Sequence, residues 1–235
     1  MKKIVPLLLA ACVLLLTACS SAPDDAPDKG TVQPGFDSAV GGDIQPAENE
    51  DDTADDENAA GSVNGGVYTS AFAGMGCALD DSWTFYTDEQ IAQLNGLLTS
   101  QSSSEDVKTR LESASGVYDM YAASTDGLLT INVAYQNLGL LGSDVTAQEY
   151  AELSSQQLPD ALTSYGFTDV EAAVTSGDFA GHTACPAVAI TAKLGDTTLY
   201  ERMYCVKTGS YLYCVTLSSF TEDVTEAMAE LFYGI

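Results

Sequence analysis

The chain has 235 residues, with 8 Lys and Arg against 34 Asp and Glu, for a formal net charge of −26. Nucleic-acid affinity rests on cationic groups neutralising phosphates, so this balance excludes a nucleic-acid partner and also repels anionic lipid headgroups. Acidity of this degree keeps a protein soluble, the commoner meaning of such a charge.

The N-terminus has the layout of a secretory signal. Lys2 and Lys3 supply the positive segment, residues 4–16 the apolar one, and small residues follow. That apolar run is too short for a permanent transmembrane helix. The sequence Leu16-Thr17-Ala18-Cys19 resembles the bacterial lipobox. The resemblance implies removal of residues 1–18 and acylation of Cys19, which becomes the first residue of a lipoprotein held on the extracytoplasmic face of the cell membrane. More than one acyl chain gives stable anchoring, and here the chains anchor without help from headgroups.

Residues 19–66 read as the lipidated cysteine followed by an acidic disordered linker. Pro23, Pro27, Pro34 and Pro46 stand among Gly, Ser and Ala, and seven of the ten residues 48–57 are Asp or Glu, with little apolar surface to bury. As a flexible coil of about 47 residues it spans roughly 35 to 40 Å, and self-repulsion lengthens it. The acidic run lacks the alternation and glycine of an EF-hand loop, so it reads as solvated linker rather than a calcium site.

From residue 67 onward, capped helices and alternating strands predict one domain, 67–235. Thr87-Asp88-Glu89-Gln90 and Thr146-Ala147-Gln148-Glu149 fit the capping box. Pro159 is expected to kink or restart the helix behind the second cap. A hairpin over 118–135 turns at Asp126-Gly127 as a two-residue type I′ turn, setting Ala122 opposite Ile131, Met120 opposite Val133 and Tyr118 opposite Tyr135. Strands follow over 170–179, 183–192, 198–206 and 210–219, with turns at Gly181, Gly195-Asp196 and Gly209. A last helix after Thr221 carries Val224, Met228, Leu231 and Phe232 at helical spacing. The predicted fold class is α+β, an antiparallel sheet with helices packed on both faces.

Three segments carry a resemblance at this point: Gly76-Cys77-Ala78-Leu79-Asp80-Asp81-Ser82-Trp83, Phe179-Ala180-Gly181-His182, and 207–215 around Gly209. Together they resemble the PsbP-like group, which includes an extrinsic subunit of the photosynthetic oxygen-evolving complex and many bacterial lipoproteins. The resemblance covers 67–235 and implies an α/β/α sandwich used for binding or assembly, with no catalytic set to carry over.

Candidate sites follow from the strands. If Gly209-Ser210 centre a II′ turn, Cys205 lies opposite Cys214 on a non-hydrogen-bonded pair, a candidate disulfide in an exported compartment. Two small buried thiols are the alternative, and a turn centred on Thr208-Gly209 breaks the pairing. If Gly195-Asp196 centres the preceding turn, Cys185 pairs with Val206 and faces away from Cys205, with Cys77 as a further neighbour to consider. His182 and Cys185 invite a nucleophile reading, but extended chain separates them and no orienting third group is evident. No metal or cofactor motif appears. Tyr121, Tyr200 and Tyr204, with Arg202 and Asn132 nearby, form a candidate ligand face, although strand aromatics usually belong to the core.

The expected function is a monomeric, membrane-tethered, non-catalytic lipoprotein binding an envelope protein or small ligand. An envelope hydrolase using Cys185 and His182, and a structural surface protein, are the alternatives.

Overall fold

The computed structural model describes residues 59–101, 118–138 and 144–235. The signal segment, Cys19 and the acidic run 48–57 lie outside the described residues. Within them, no helix is long and apolar enough to cross a membrane.

Two antiparallel sheets build the domain. The larger has seven strands in the order β4-β5-β6-β10-β9-β8-β7. These are β4 (Trp83–Phe85), β5 (Tyr118–Ser124), β6 (Leu129–Asn137), β7 (Thr168–Phe179), β8 (His182–Leu194), β9 (Thr197–Thr208) and β10 (Tyr211–Ser219). The smaller has the order β1-β2-β3-β11, from β1 (Ser62–Asn64), β2 (Val67–Ser70), β3 (Met75–Ala78) and β11 (Phe232–Gly234). The predicted meander is present, and β10 docks on β6 to join it to the 118–135 hairpin. All nine residues of β10 are buried, as a central strand covered on both faces requires.

Helices α1 (Asp88–Gln101) and α2 (Ala147–Ser164) serve one face of the large sheet. Both expected capping boxes form: Gln90 N donates to Thr87 Oγ1 while Thr87 N donates to Gln90 Oε1, and Thr146 and Glu149 reciprocate in the same way. Pro159 neither breaks nor restarts α2, which runs through it as one helix. Tyr150, Leu158 and Leu162 of α2 pack on Val188, Ile190 and Leu199. Each such large side chain contributes about 1.5–3 kcal/mol on burial.

The opposite face corrects the expectation of helices on both sides. Tyr68, Met75 and Cys77 of the small sheet cover Val215, Leu217 and Tyr213, and the five-residue α3 (Thr225–Ala229) contributes Met228 there. The predicted last helix stops early because Phe232 pairs with Cys77 as part of β11. Apolar residues on both faces of a strand require cover on both sides, and a second sheet provides it as well as helices do.

Two local expectations also change. The 118–135 hairpin keeps Met120 opposite Val133 and Ala122 opposite Ile131, but a bulge places Tyr118 opposite Ala134 rather than Tyr135. Its turn spans residues 125–128, with Gly127 at φ 72° and Asp126 outside the left-handed region that a type I′ turn demands of both central residues. The register survives because the longer loop keeps the same centre.

The bulge has a partner. Asp119, displaced by it, accepts the Gly61 backbone N–H on both carboxylate oxygens at 2.9 Å and the Tyr68 hydroxyl at 2.5 Å. Tyr213 donates to the Ala59 carbonyl at 2.7 Å. Strand β1 thus lies upstream of the residue 66 boundary expected from composition, and the folded chain already includes Ala59.

Candidate functional site

The strands of the large sheet outrun the small one, leaving a cleft of about 380 Å³ beside α3. It is walled by the end of β7, the middle of β9, α3 and the start of β11. Side chains alternate along β9, so Tyr200, Arg202 and Tyr204 share the face on which the cleft opens, while Leu199, Met203 and Cys205 face the helices. Opposite Arg202 and Tyr204 on β8 stand Ala189 and Ala187, small residues that leave room above the sheet.

Aromatic rings make the apolar wall. Tyr204 stacks on Phe179 with centroids 4.2 Å apart and planes at 9°, and Phe232 lies 5.0 Å from Phe179. The rim is the β7–β8 turn, where Ala180 (φ 47°) and Gly181 (φ 83°) both adopt left-handed conformations. For Ala180 this costs about 1–2 kcal/mol. Gly234 of β11 seats against that turn so closely that a Cβ on it would lie 3.0 Å from the Ala180 carbonyl.

Arg202 is the polar centre of the cleft. Its side chain is 13% exposed, and its Nη2 donates to Glu226 Oε1 at 3.1 Å, whereas the Glu226 side chain is 81% exposed. The Arg202 Nε is buried and has no hydrogen-bond partner. Burial raises the Tyr204 phenol pKa, and the adjacent guanidinium opposes that shift. Asp178 and Glu230 complete the charged lining. Of the three cations among the described residues, Lys193, Arg202 and Lys207, Arg202 alone lines this cleft.

The predicted ligand face is therefore split. Arg202 and Tyr204 line the cleft, and half-buried Tyr200 stands two residues further along the same face of β9. Tyr121 belongs to the opposite face, buried against Tyr86 at 4.6 Å and Tyr118 at 6.2 Å under the helices. Asn132, its cross-strand neighbour, shares that face. Membership of a face was readable within one strand but not between strands three positions apart in the sheet. Glu226 and Asp178 were not singled out from the sequence, since only the folded topology brings α3 and the end of β7 to β9.

The cysteines fall as follows. Cys205 lies directly opposite Cys214 with Gly209 at φ 58° in the turn, and both are thiols on the helix-covered face. Cys185 faces the other way, with Cys77 in the same buried cluster. Its Sγ donates to the Cys205 carbonyl at 3.4 Å, and burial pushes its thiol up to about 11. A nucleophilic cysteine needs a lowered pKa and a base in reach. His182 is exposed at the start of β8, and the Cys185 thiol is directed at a carbonyl instead. Among the described residues no group of His, Cys, Asp and Glu is arranged to hold a metal ion.

These observations define a two-sheet α+β domain carrying a small aromatic cleft around a buried guanidinium. No family profile and no curated protein matches the sequence. Among solved structures the chain is similar to the cyanobacterial PsbP protein (CyanoP) of Synechocystis sp. PCC 6803, at 13% identity and a TM-score of 0.44, covering 74% of this chain and 98% of that one. A match at this distance bears on neither the family nor the activity of this chain.

Proposed function

We propose that this chain is a non-catalytic binding module, tethered through acyl chains on Cys19 to the outer face of the cell membrane, and that the cleft beside α3 is its ligand face. The observation that carries the reading is Arg202: a guanidinium held in an aromatic cleft with a donor left unused. Buried donors are ordinarily satisfied, and leaving one unpaired costs about 1–3 kcal/mol. A protein that retains such a group at an opening retains it for what enters. The signal layout ending in Cys19 and the PsbP-like segments of the sequence support the location and the binding role. The buried, carbonyl-bonded Cys185 disfavours the hydrolase alternative.

Crosslinking on intact cells, comparing the natural chain with Arg202→Gln and Cys19→Ala, tests this. Cys19→Ala is expected to move the protein into the soluble fraction. Arg202→Gln is expected to stay on the membrane and lose a reproducible set of neighbours or bound small molecules. An unchanged set with Arg202→Gln would overturn the cleft as ligand face, and unchanged membrane association with Cys19→Ala would overturn the anchor.

A further inference from the structure

The charges of the cleft specify a class of ligand. A guanidinium presents Nε–H and one Nη2–H in parallel along its side-on edge, a fork that matches the two oxygens of a carboxylate. Glu226 fills only the Nη2 tine, while Nε on the same edge is buried and unpaired. The Glu226 carboxylate is thus a half-fitting occupant, carried on a side chain that is 81% exposed and free to swing into water. A better-placed carboxylate takes both tines. Asp178 and Glu230 line the same cleft, Asp178 Oδ1 accepting the Ala184 backbone N–H at 3.2 Å, and among the described residues neither has a cation bonded to it, so they oppose a polyanion and favour a positive group near the rim. Between them Phe179, Tyr204 and Phe232 line the cleft as buried side chains, 2%, 2% and 6% exposed.

We infer that the cleft binds a small zwitterion, an α-amino acid: its carboxylate displaces Glu226 from Arg202, and its ammonium meets Asp178 and Glu230. The inference rests on the cleft being a ligand site. A zwitterion also resolves the conflict posed by a net charge of −26, because it carries no net charge to be repelled at long range. The volume, about 380 Å³, is at the lower end of small-molecule pockets. Glu226 then acts as a built-in competitor, which sets affinity low until it is displaced.

Calorimetric titration of the full chain with L-phenylalanine, with the Arg202 Nε resonance followed in parallel, tests this. L-phenylalanine is expected to bind and shift that resonance. Phenethylamine, lacking the carboxylate, and N-acetylphenylalanine, lacking the ammonium, are expected to bind at least about tenfold more weakly, the scale of one charge-assisted pair. Glu226→Gln is expected to tighten L-phenylalanine by about tenfold, since it removes the competitor. Arg202→Gln and Arg202→Lys are both expected to abolish binding, the second because an ammonium offers no fork; unchanged thermal unfolding establishes that each has folded. Phenethylamine binding as tightly as L-phenylalanine would overturn the assignment, and so would absence of binding to both the natural chain and Glu226→Gln. If either occurs while Arg202→Gln still strips neighbours in the crosslinking experiment, the cleft remains a ligand site and only the ligand class fails.

Discussion

In the middle of the helix-covered face, where neighbours are apolar, the carboxylate of Glu201 is 3% exposed and accepts the Ser218 hydroxyl at 2.9 Å. Burial pushes its pKa from the ordinary 4.5 up to about 7, with the Ser218 hydrogen bond opposing the shift. A raised acid binds its proton more tightly folded than unfolded, so the folded state holds more protons between about 4.5 and 7 and stability falls as pH rises through that window. The penalty is absent below it and complete above it, on the order of 3 kcal/mol. Glu201→Gln, which mimics the protonated form, is expected to be more stable than the natural chain at pH 8 and to converge with it near pH 4.5. Denaturant unfolding across that range measures the difference, and a constant gap at all pH values would refute the buried-acid account. The sequence does carry a signal for Glu201, which interrupts the apolar face that Leu199 and Met203 mark by alternation along the strand, but a lone polar residue in such a pattern does not by itself reveal a buried acid.

At the scale of elements, the β9–β10 hairpin shows what local chemistry decides. Gly209 in the left-handed region fixes a two-residue turn, the turn fixes the register, and the register sets Cys205 against Cys214. Counting outward from the turn makes that pair non-hydrogen-bonded, the type whose side chains approach closely enough for a disulfide. Under oxidising conditions the two thiols are expected to join, while Cys77 and Cys185 stay reduced in their own cluster on the other face. Closing so short a loop stabilises by about 2.5–3 kcal/mol on chain entropy. Non-reducing peptide mapping with unfolding before and after reduction measures both, and a Cys185 crosslink to Cys205 would contradict the faces described. The same logic explains what remained hidden. Turn residues and caps announced the meander, α1 and α2, whereas the bulge at Asp119 and the pairing of β11 with β3 depend on contacts far away in sequence. Val224, Met228 and Leu231 repeat at helical spacing, yet Phe232 is taken by a strand partner that no local pattern reveals.

For the whole molecule, strand β1 at Ser62–Asn64 lies before the residue 66 boundary expected from composition. Residues 59–66 are poor in large apolar groups, and polar chain normally stays unfolded. Here backbone groups attach it instead: the Gly61 N–H to Asp119 and the Ala59 carbonyl to Tyr213. A chain starting at residue 59 is expected to match the full chain in thermal unfolding. One starting at residue 67 leaves Asp119 without its backbone donor and is expected to lose about 1–3 kcal/mol, as for other buried polar groups stripped of a partner. Equal stability of the two would show that β1 is an ornament of the sheet rather than a part of it.

The order of the small sheet has a mechanical consequence. β1 and β11 are the two outer strands of that sheet, so tension arriving from upstream of Ala59 falls first on the Tyr213–Ala59 and Gly61–Asp119 hydrogen bonds and then on the three residue pairs that join β1 to β2. An edge strand pulled sideways parts one pair at a time, at lower force than strands sheared along their length. The cleft borders β11, three strand spacings or roughly 14 Å away. A sharp tug would therefore spend itself in opening a sacrificial seam, and the cleft would keep its shape.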